Sequence, residues 1–487
     1  MKKNFFLKSI IVIILLFINS IIGYSQSTWY RTWGIFGNNE TGKRVVQTFD
    51  GGYAVLTQVS KFNVSGTHYN LLKYDNAGNF LWSNLIADSI YKTLWDMQQT
   101  KDSGFIFAGW CTYVYGALLI KTDKYGNLKW QKHYPNLNFN TQFFAVKQTL
   151  DSGYIACGSY LDYVNPSNKG IVIKVDSLGY VQWEKQYLDS LFNGFGDIFQ
   201  ASDKKYYITS ATFNIDTSIY AVFKKIDSAG NVIWNNFYCH NNGSCQNITQ
   251  LKDGSLILSG PDENFQPLIA KFDTLGNTKW VKNYTSPPFY YYYMCKDIFD
   301  NIVITGGRDF ANTSTISNWK LDTGGTILKV KNVSSSNYYS VGSYCIKPTY
   351  DTGFVIVGDA ALKDSFTNPR PDCLIIKTDS AFNSPIITKI VNISNTFANE
   401  FKVYQNYPNP FNPKTVLKFH LPNNGYVEIS IYDVLGKKVF SNKEYCMSGL
   451  NERCLDFGWL NLSSGVYFIK IHPDKSEFKL LKVIYLK

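Results

Sequence analysis

Between residues 26 and 384 the apolar positions fall in short runs separated by clusters of Asp, Ser, Gly and Asn, with no helical spacing. After Ser89 four such runs succeed one another: TLWDMQQT, GFIFAGW, ALLIKTD and LKWQKHY, divided by KDSG, a variable loop and KYGN. Short apolar or alternating runs bounded by turn residues read as β-strands. The pattern therefore predicts groups of four strands and an all-β chain.

The groups repeat. KYDNAGNFLW, ending at Trp82, returns as KTDKYGNLKW, KVDSLGYVQW, KIDSAGNVIW and KFDTLGNTKW, and then in two decayed copies, KLDTGGTILK and KTDSAFNSPI. The shared aspartates, Asp75, Asp123, Asp176, Asp227, Asp273, Asp322 and Asp379, are spaced 46 to 57 residues apart. A second marker keeps the same beat, for example KDSGFIFAG, LDSGYIACG and YDTGFVIVG. Four antiparallel strands recurring at this period are a propeller blade, so seven units predict a seven-bladed β-propeller. In the Asp-x-x-Gly-Asn turn Asp accepts backbone amides, Gly supplies positive φ and the following Trp packs on a neighbour. The turn lacks the alternating oxygens of a calcium loop, and no metal is expected. The seventh unit has lost its Trp, and the orphan TWYRTWG, Thr28 to Gly34, is expected to supply the missing strand and close the ring. Pro385 to Val391 competes for that place.

Up-and-down strands put the short Asp turns on one face and the long divergent loops on the other. Loops on a rigid scaffold carry binding function, so the expected site is the loop face. Its candidates are Trp110, Tyr113, Tyr115, Tyr160, Tyr163, Tyr290, Tyr291, Tyr292, Arg308 and Arg370, suited to an extracellular glycan or protein ligand.

Composition alters this picture at the ends of the chain. Lys2, Lys3 and Lys8, the apolar run Ile10 to Ile18 and small residues before Gln26 read as a signal peptide over residues 1–25. The formal charge of +11 comes from scattered Lys and Arg, which excludes a nucleic-acid footprint, and no later segment is long enough to span a membrane. The mature chain is expected to be a monomer. Of nine cysteines, Cys239 with Cys245 and Cys446 with Cys454 flank short polar segments and are candidates for local disulfides. Cys111, Cys157, Cys295, Cys345 and Cys373 lie in apolar runs and are expected to be buried.

A catalytic constellation is not found: there is no HExxH, no GxSxG and no P-loop, and residues 27–396 hold only Glu40, Glu184 and Glu263 beside turn aspartates. No enzyme and no cofactor is expected. The repeat resembles the Asp boxes of sialidases, but departs from their Ser-x-Asp-x-Gly-x-Thr-Trp pattern, and only Arg31, Arg44, Arg308 and Arg370 could serve as their arginine triad. It is also similar to the tryptophan-docking repeats of quinoprotein dehydrogenases, without the adjacent cysteines many of those carry. A sialidase-like hydrolase or a quinoprotein-like enzyme is the alternative reading.

The period ends near Asp379. After a linker, 385–400, residues 401–487 carry Tyr407-Pro408-Asn409-Pro410-Phe411-Asn412-Pro413, then Leu435-Gly436-Lys437-Lys438, then Gly465-Val466-Tyr467 and a basic apolar tail. Alternating strands here predict a small Ig-like β-sandwich. The region resembles the C-terminal sorting domain, type A, of type IX secretion cargo. That resemblance implies the type IX machinery as partner, export through the periplasm and outer membrane, and an extracellular or cell-surface location, released or anchored. The chain thus reads as a signal peptide, a binding or adhesion propeller over 26–384, a linker and a delivery domain.

Overall fold

The computed structural model describes residues 27–487 apart from 35–37, 62–66, 88–91, 113–115, 135–140, 163–166, 188–193, 211–221, 238–244, 263–265, 285–290, 309–314, 335–337, 363–370, 386–391, 395–400, 407, 423–424, 447–448, 459, 461 and 475. The signal-peptide expectation lies outside them. The chain divides into two compact units, residues 1–392 and 393–487.

The first unit is a seven-bladed propeller, and every blade is an antiparallel meander. Blade 1 holds Asn38–Gln47, Tyr53–Lys61, Thr67–Tyr74 and Phe80–Ala87; blade 2 holds Lys92–Gln99, Phe105–Cys111, Gly116–Thr122 and Leu128–Tyr134. Blades 3 to 6 begin at Gln142, Phe195, Asn247 and Tyr291. Blade 7 contributes Tyr338–Pro348, Phe354–Leu362 and Pro371–Thr378, and takes its next strand from the N-terminus, Trp29–Gly34. That strand runs antiparallel to the blade, from Trp29 opposite Lys377 to Trp33 opposite Cys373. The orphan segment therefore closes the ring, and residues 386–391 of the competing stretch lie outside the described residues. The first strands of neighbouring blades contact one another around the whole circle and line its axis.

Two repeated devices build the blades. In the Asp turn, Asp75 accepts the amides of Ala77 at 2.9 Å and Asn79 at 2.8 Å, while Asn79 Nδ2 donates to its other oxygen at 2.8 Å. The carboxylate is thus used by its own turn. The Trp of each outer strand docks across the blade boundary onto the Asp turn of the next blade: Trp29 on Gly78, Trp82 on Gly126, Trp130 on Gly179, and so on to Trp280 on Gly325. At Gly78 a Cβ would stand 2.5 Å from the Trp29 ring, so close approach as well as the φ of 77° requires glycine. Where blade 6 has Lys329 in place of Trp, the next turn replaces its Gly by Phe382, whose fully buried ring packs on Phe354 at 5.0 Å. The decayed motif fills the same space from the opposite side.

The second device is ionic. A lysine ending each third strand reaches an aspartate in that blade's first turn: Lys73–Asp50, Lys121–Asp102, Lys174–Asp151, Lys225–Asp203, Lys271–Asp253, Lys320–Asp297 and Lys377–Asp351, at 2.7 to 3.3 Å. Burial opposes these carboxylates, but hydrogen bonds and the lysines hold them below the usual range, Asp151 and Asp253 at about 2. A carboxylate whose folded value is depressed stabilises the protein above its unfolded value and loses that contribution as pH falls through the folded one. Stability is expected to fall between about pH 4 and pH 2. Asp351→Asn should cost roughly 2–3 kcal/mol at pH 7, because it leaves the fully buried Lys377 without its partner. The variant should match the wild type near pH 2. Melting curves across this range check it; a difference independent of pH would refute the ionic origin.

The second unit has two sheets, one of Lys402–Val403, Lys414–Leu421 and Gly449–Asp456, the other ordered Lys438–Cys446, Gly425–Tyr432, Gly465–Pro473, Lys479–Tyr485. Its own core includes Phe411, Phe419, Ile429, Ile431, Phe457, Ile469 and Tyr485, the Ig-like sandwich expected. The cysteines of the propeller runs are buried, as expected. Cys446 is a free, buried thiol that accepts a hydrogen bond from Arg453 at 3.3 Å, so the expected bridge to Cys454 is not formed. Cys239 lies outside the described residues, so its pairing with Cys245 is not among the observed contacts.

Candidate functional site

The innermost strands break the period of two. A β-bulge interrupts the pairing of first and second strands in blades 1, 2, 3, 4 and 7, at Lys43, Trp95, Phe144, Gly196 and Tyr344. A bulge places an extra residue opposite one on the partner strand and re-aims the side chains around it. The second strand makes room with glycine: at Gly109 and Gly158 a Cβ would run into the carbonyls of Thr93 and Gln142. This is the Gly that ends the second sequence marker.

The bulge residues of adjacent blades meet. Trp95 stands edge-on to Phe144 at 5.9 Å, and the Lys43 ammonium lies over the Tyr344 ring at 5.2 Å. Trp95 retains 39% of its exposure. These residues form a collar around the axis.

Further along the first strands, away from the loop face, lies a polar belt. Arg44 Nε is 3.4 Å from Asp96 Oδ1, and Lys147 Nζ bridges Asp96 at 2.8 Å and Asp197 at 3.2 Å. Asp96 also accepts the Val146 amide at 3.1 Å, and Asp197 the Ile248 amide at 3.4 Å. Tyr293 extends the belt from the other side: Lys347 donates to its hydroxyl at 2.9 Å, and the Arg44 guanidinium lies 5.3 Å from its ring centre. The contacts thus join blades 1 to 5 on one side and 6, 7 and 1 on the other. Burial would raise the Asp96 carboxyl, but Lys147 and Arg44 outweigh it and hold the group at about 2. Burial, and after it Arg44, keeps Lys43 below its ordinary value, with Asp359 pulling the other way.

The loop-face candidates fare differently. Trp110 is half-buried at the end of a blade 2 strand, opposite Thr93 and Ala117. Tyr160 is 2% exposed and packs in the core between blades 2 and 3, which removes it from the binding surface. Tyr291 and Tyr292 pair with Gly307 and Gly306 in blade 6, and Arg308 ends the second strand there; their side chains are outside the description. Tyr113, Tyr115, Tyr163, Tyr290 and Arg370 lie outside the described residues altogether. The collar is absent from the sequence expectations, which treat each first strand as regular. The signal that could have found it is broken alternation in strands such as ETGKRVVQ, with a Gly five residues into the second strand of blades 2 and 3. Among the described residues no group of His, Cys, Asp and Glu could hold a metal, and no helix is long and apolar enough to cross a membrane.

In the C-terminal unit the sorting motif has a structural role. Asn409 Oδ1 accepts the Ile484 amide at 2.8 Å, and the Phe411 backbone bonds to Ile484 and Leu486 on either side. The Phe411 ring packs on Phe457 at 4.8 Å and Tyr485 at 5.5 Å. Pro408, Pro410, Asn412 and Pro413 shape this segment, while Tyr407 is outside the described residues. Gly436 takes φ 78° in the Asp433 turn, and Tyr467, near Gly465, donates to the Ser463 carbonyl at 2.8 Å.

No curated protein matches the chain in sequence. Among solved structures, a Dyadobacter fermentans protein of unknown function aligns over 73% of this chain and 100% of its own, at 8% identity and TM-score 0.46. The β-propeller domain of the Trilobed protease from Pyrococcus furiosus aligns over 73% and 99%, at 9% identity and TM-score 0.43. YCF48 bound to D1 peptide aligns over 73% and 96%, at 11% and 0.43. A family model described as the secretion system C-terminal sorting domain matches residues 405–485. The chain is a seven-bladed propeller joined to a C-terminal sorting domain of the kind that directs type IX secretion to the cell surface or the extracellular space.

Proposed function

We propose that the propeller is a binding or adhesion module, and that its ligand seat is the collared mouth of the axial channel. The observation that carries this reading is the row of bulges that sets Trp95 against Phe144 and Lys43 against Tyr344 above the polar belt. A part-exposed indole on one blade and a cation on the next offer a flat apolar face and a charge, the combination that holds sugars and peptide side chains. Held by the innermost strands, these groups need little ordering on binding.

Glycan and peptide arrays probed with the mature chain test the proposal. Trp95→Ala is expected to weaken binding about tenfold while lowering the melting temperature by only a few degrees, since the side chain keeps 39% of its exposure. Undiminished binding in this variant would remove the collar from the ligand site. Release of a cleaved product, abolished by changing one carboxylate, would favour the hydrolase instead.

A further inference from the structure

The belt's charges do not balance. Arg44 and Lys147 share the carboxylates of Asp96 and Asp197. Lys347, half-buried on the next layer of blade 7, reaches Tyr293 instead: its hydroxyl at 2.9 Å and its ring at 4.8 Å. Among the described residues no carboxylate lies within ion-pair distance of Lys347 or Lys43. An ammonium partly enclosed by protein without a counter-charge loses some of its hydration, and a fixed anion at that place would recover the loss. Of the carboxylates that would repel such an anion, Asp96 and Asp197 are already neutralised by Lys147, Arg44 and two backbone amides, while Asp359 of blade 7 acts on Lys43. The same enclosure that makes the cation costly makes an anion there bind strongly.

We infer that the channel mouth takes a carboxylate-bearing sugar, its ring against Trp95 and its carboxylate toward Lys347 and Lys43. This rests on the binding reading above and adds the ligand's charge and class. A sugar is favoured over a peptide because Trp95, whose edge contact with Phe144 leaves much of the indole exposed, offers a flat face for a ring. Lys347 has no carboxylate partner among the described residues; Tyr293 offsets the cost of its burial and leaves its charge available to an anion.

Calorimetry on the mature chain with alginate and galacturonan hexamers, and with a carboxyl-reduced galacturonan, tests the inference. Both uronates should bind, the reduced oligomer at least tenfold more weakly, and added salt should weaken only the uronates. Lys347→Met should cost the uronates at least tenfold and leave the reduced oligomer within twofold. Uronate affinity unchanged in Lys347→Met, with Trp95→Ala still impaired, would overturn the charge assignment but keep the site. Uronate binding insensitive to Trp95→Ala as well would place the ligand elsewhere and overturn both. No uronate binding by the wild type, or Lys347-dependent binding of acidic peptides instead, would overturn the ligand class.

Discussion

A chain lacking residues 27–34 is expected to melt roughly 10–15 °C below the intact mature protein, since each kcal/mol is worth a few degrees in a domain this large. The strand contributes Trp29 and Trp33, both nearly fully buried, and losing such a side chain costs roughly 3–5 kcal/mol. Trp29 also docks on blade 1, edge-on to Tyr53 at 5.2 Å, while Arg31 Nε donates to the Gly78 carbonyl at 2.8 Å. One strand thus completes blade 7 and clamps it to blade 1. Removing it exposes the edge of Pro371–Thr378 and opens the seam where the two ends of the repeat array meet. Adding the peptide TWYRTWG in trans should restore part of the melting temperature. An unchanged transition in the deleted chain would refute the closure.

Truncation after Asn395 should leave the propeller in the periplasm, with essentially none at the surface or in the medium. The two compact units have separate cores, so the truncation removes the export signal without taking side chains from the propeller's clusters. Phe411→Ala is the finer form of the experiment. It should destabilise the sorting domain by roughly 3–5 kcal/mol and mislocalise the full chain, because Phe411 links the opening motif to Phe457 and Tyr485. Cell fractionation and surface proteolysis read the outcome. Normal surface levels of the truncated chain would refute the sorting role.

The inter-blade joints show how local and tertiary information combine. At the end of the first strand Gln99 accepts the Phe49 amide at 3.0 Å, Gln148 that of Lys101 at 2.8 Å, and Gln200 that of Leu150 at 2.8 Å. Gln47 accepts the Tyr350 amide across the closing seam at 2.6 Å. Each glutamine is a plain polar residue at a strand end in the sequence. Its role exists only once the neighbouring turn is delivered to it from about 50 residues away, or about 300 at the closing seam. A shallow cleft between blades 3 and 4, lined by Lys174, Trp183, Gln200 and Tyr206, is one such joint, where a Trp meets the next blade.

Everything with a period or a local mechanism is legible in the chain as written. The Asp turns, the strand count, the seven units and the orphan closing strand arise from hydrogen bonds and φ preferences acting within a few residues, repeated until they stand out. The sorting domain is legible because its motif is contiguous. The channel is not. Its collar depends on bulges, which shift register by one residue without changing composition, and on contacts such as Lys43 with Tyr344, about 300 residues apart in the chain. Its belt depends on which charges of five strands converge on one axis. Tyr160 lies in the core rather than on the expected surface for the same reason: only the packing of blade 2 against blade 3 decides which side of a strand end faces water. Periodicity reports how each blade is made. The ring decides what the blades put at their centre, because charge balance there is a sum over side chains that no single repeat contains.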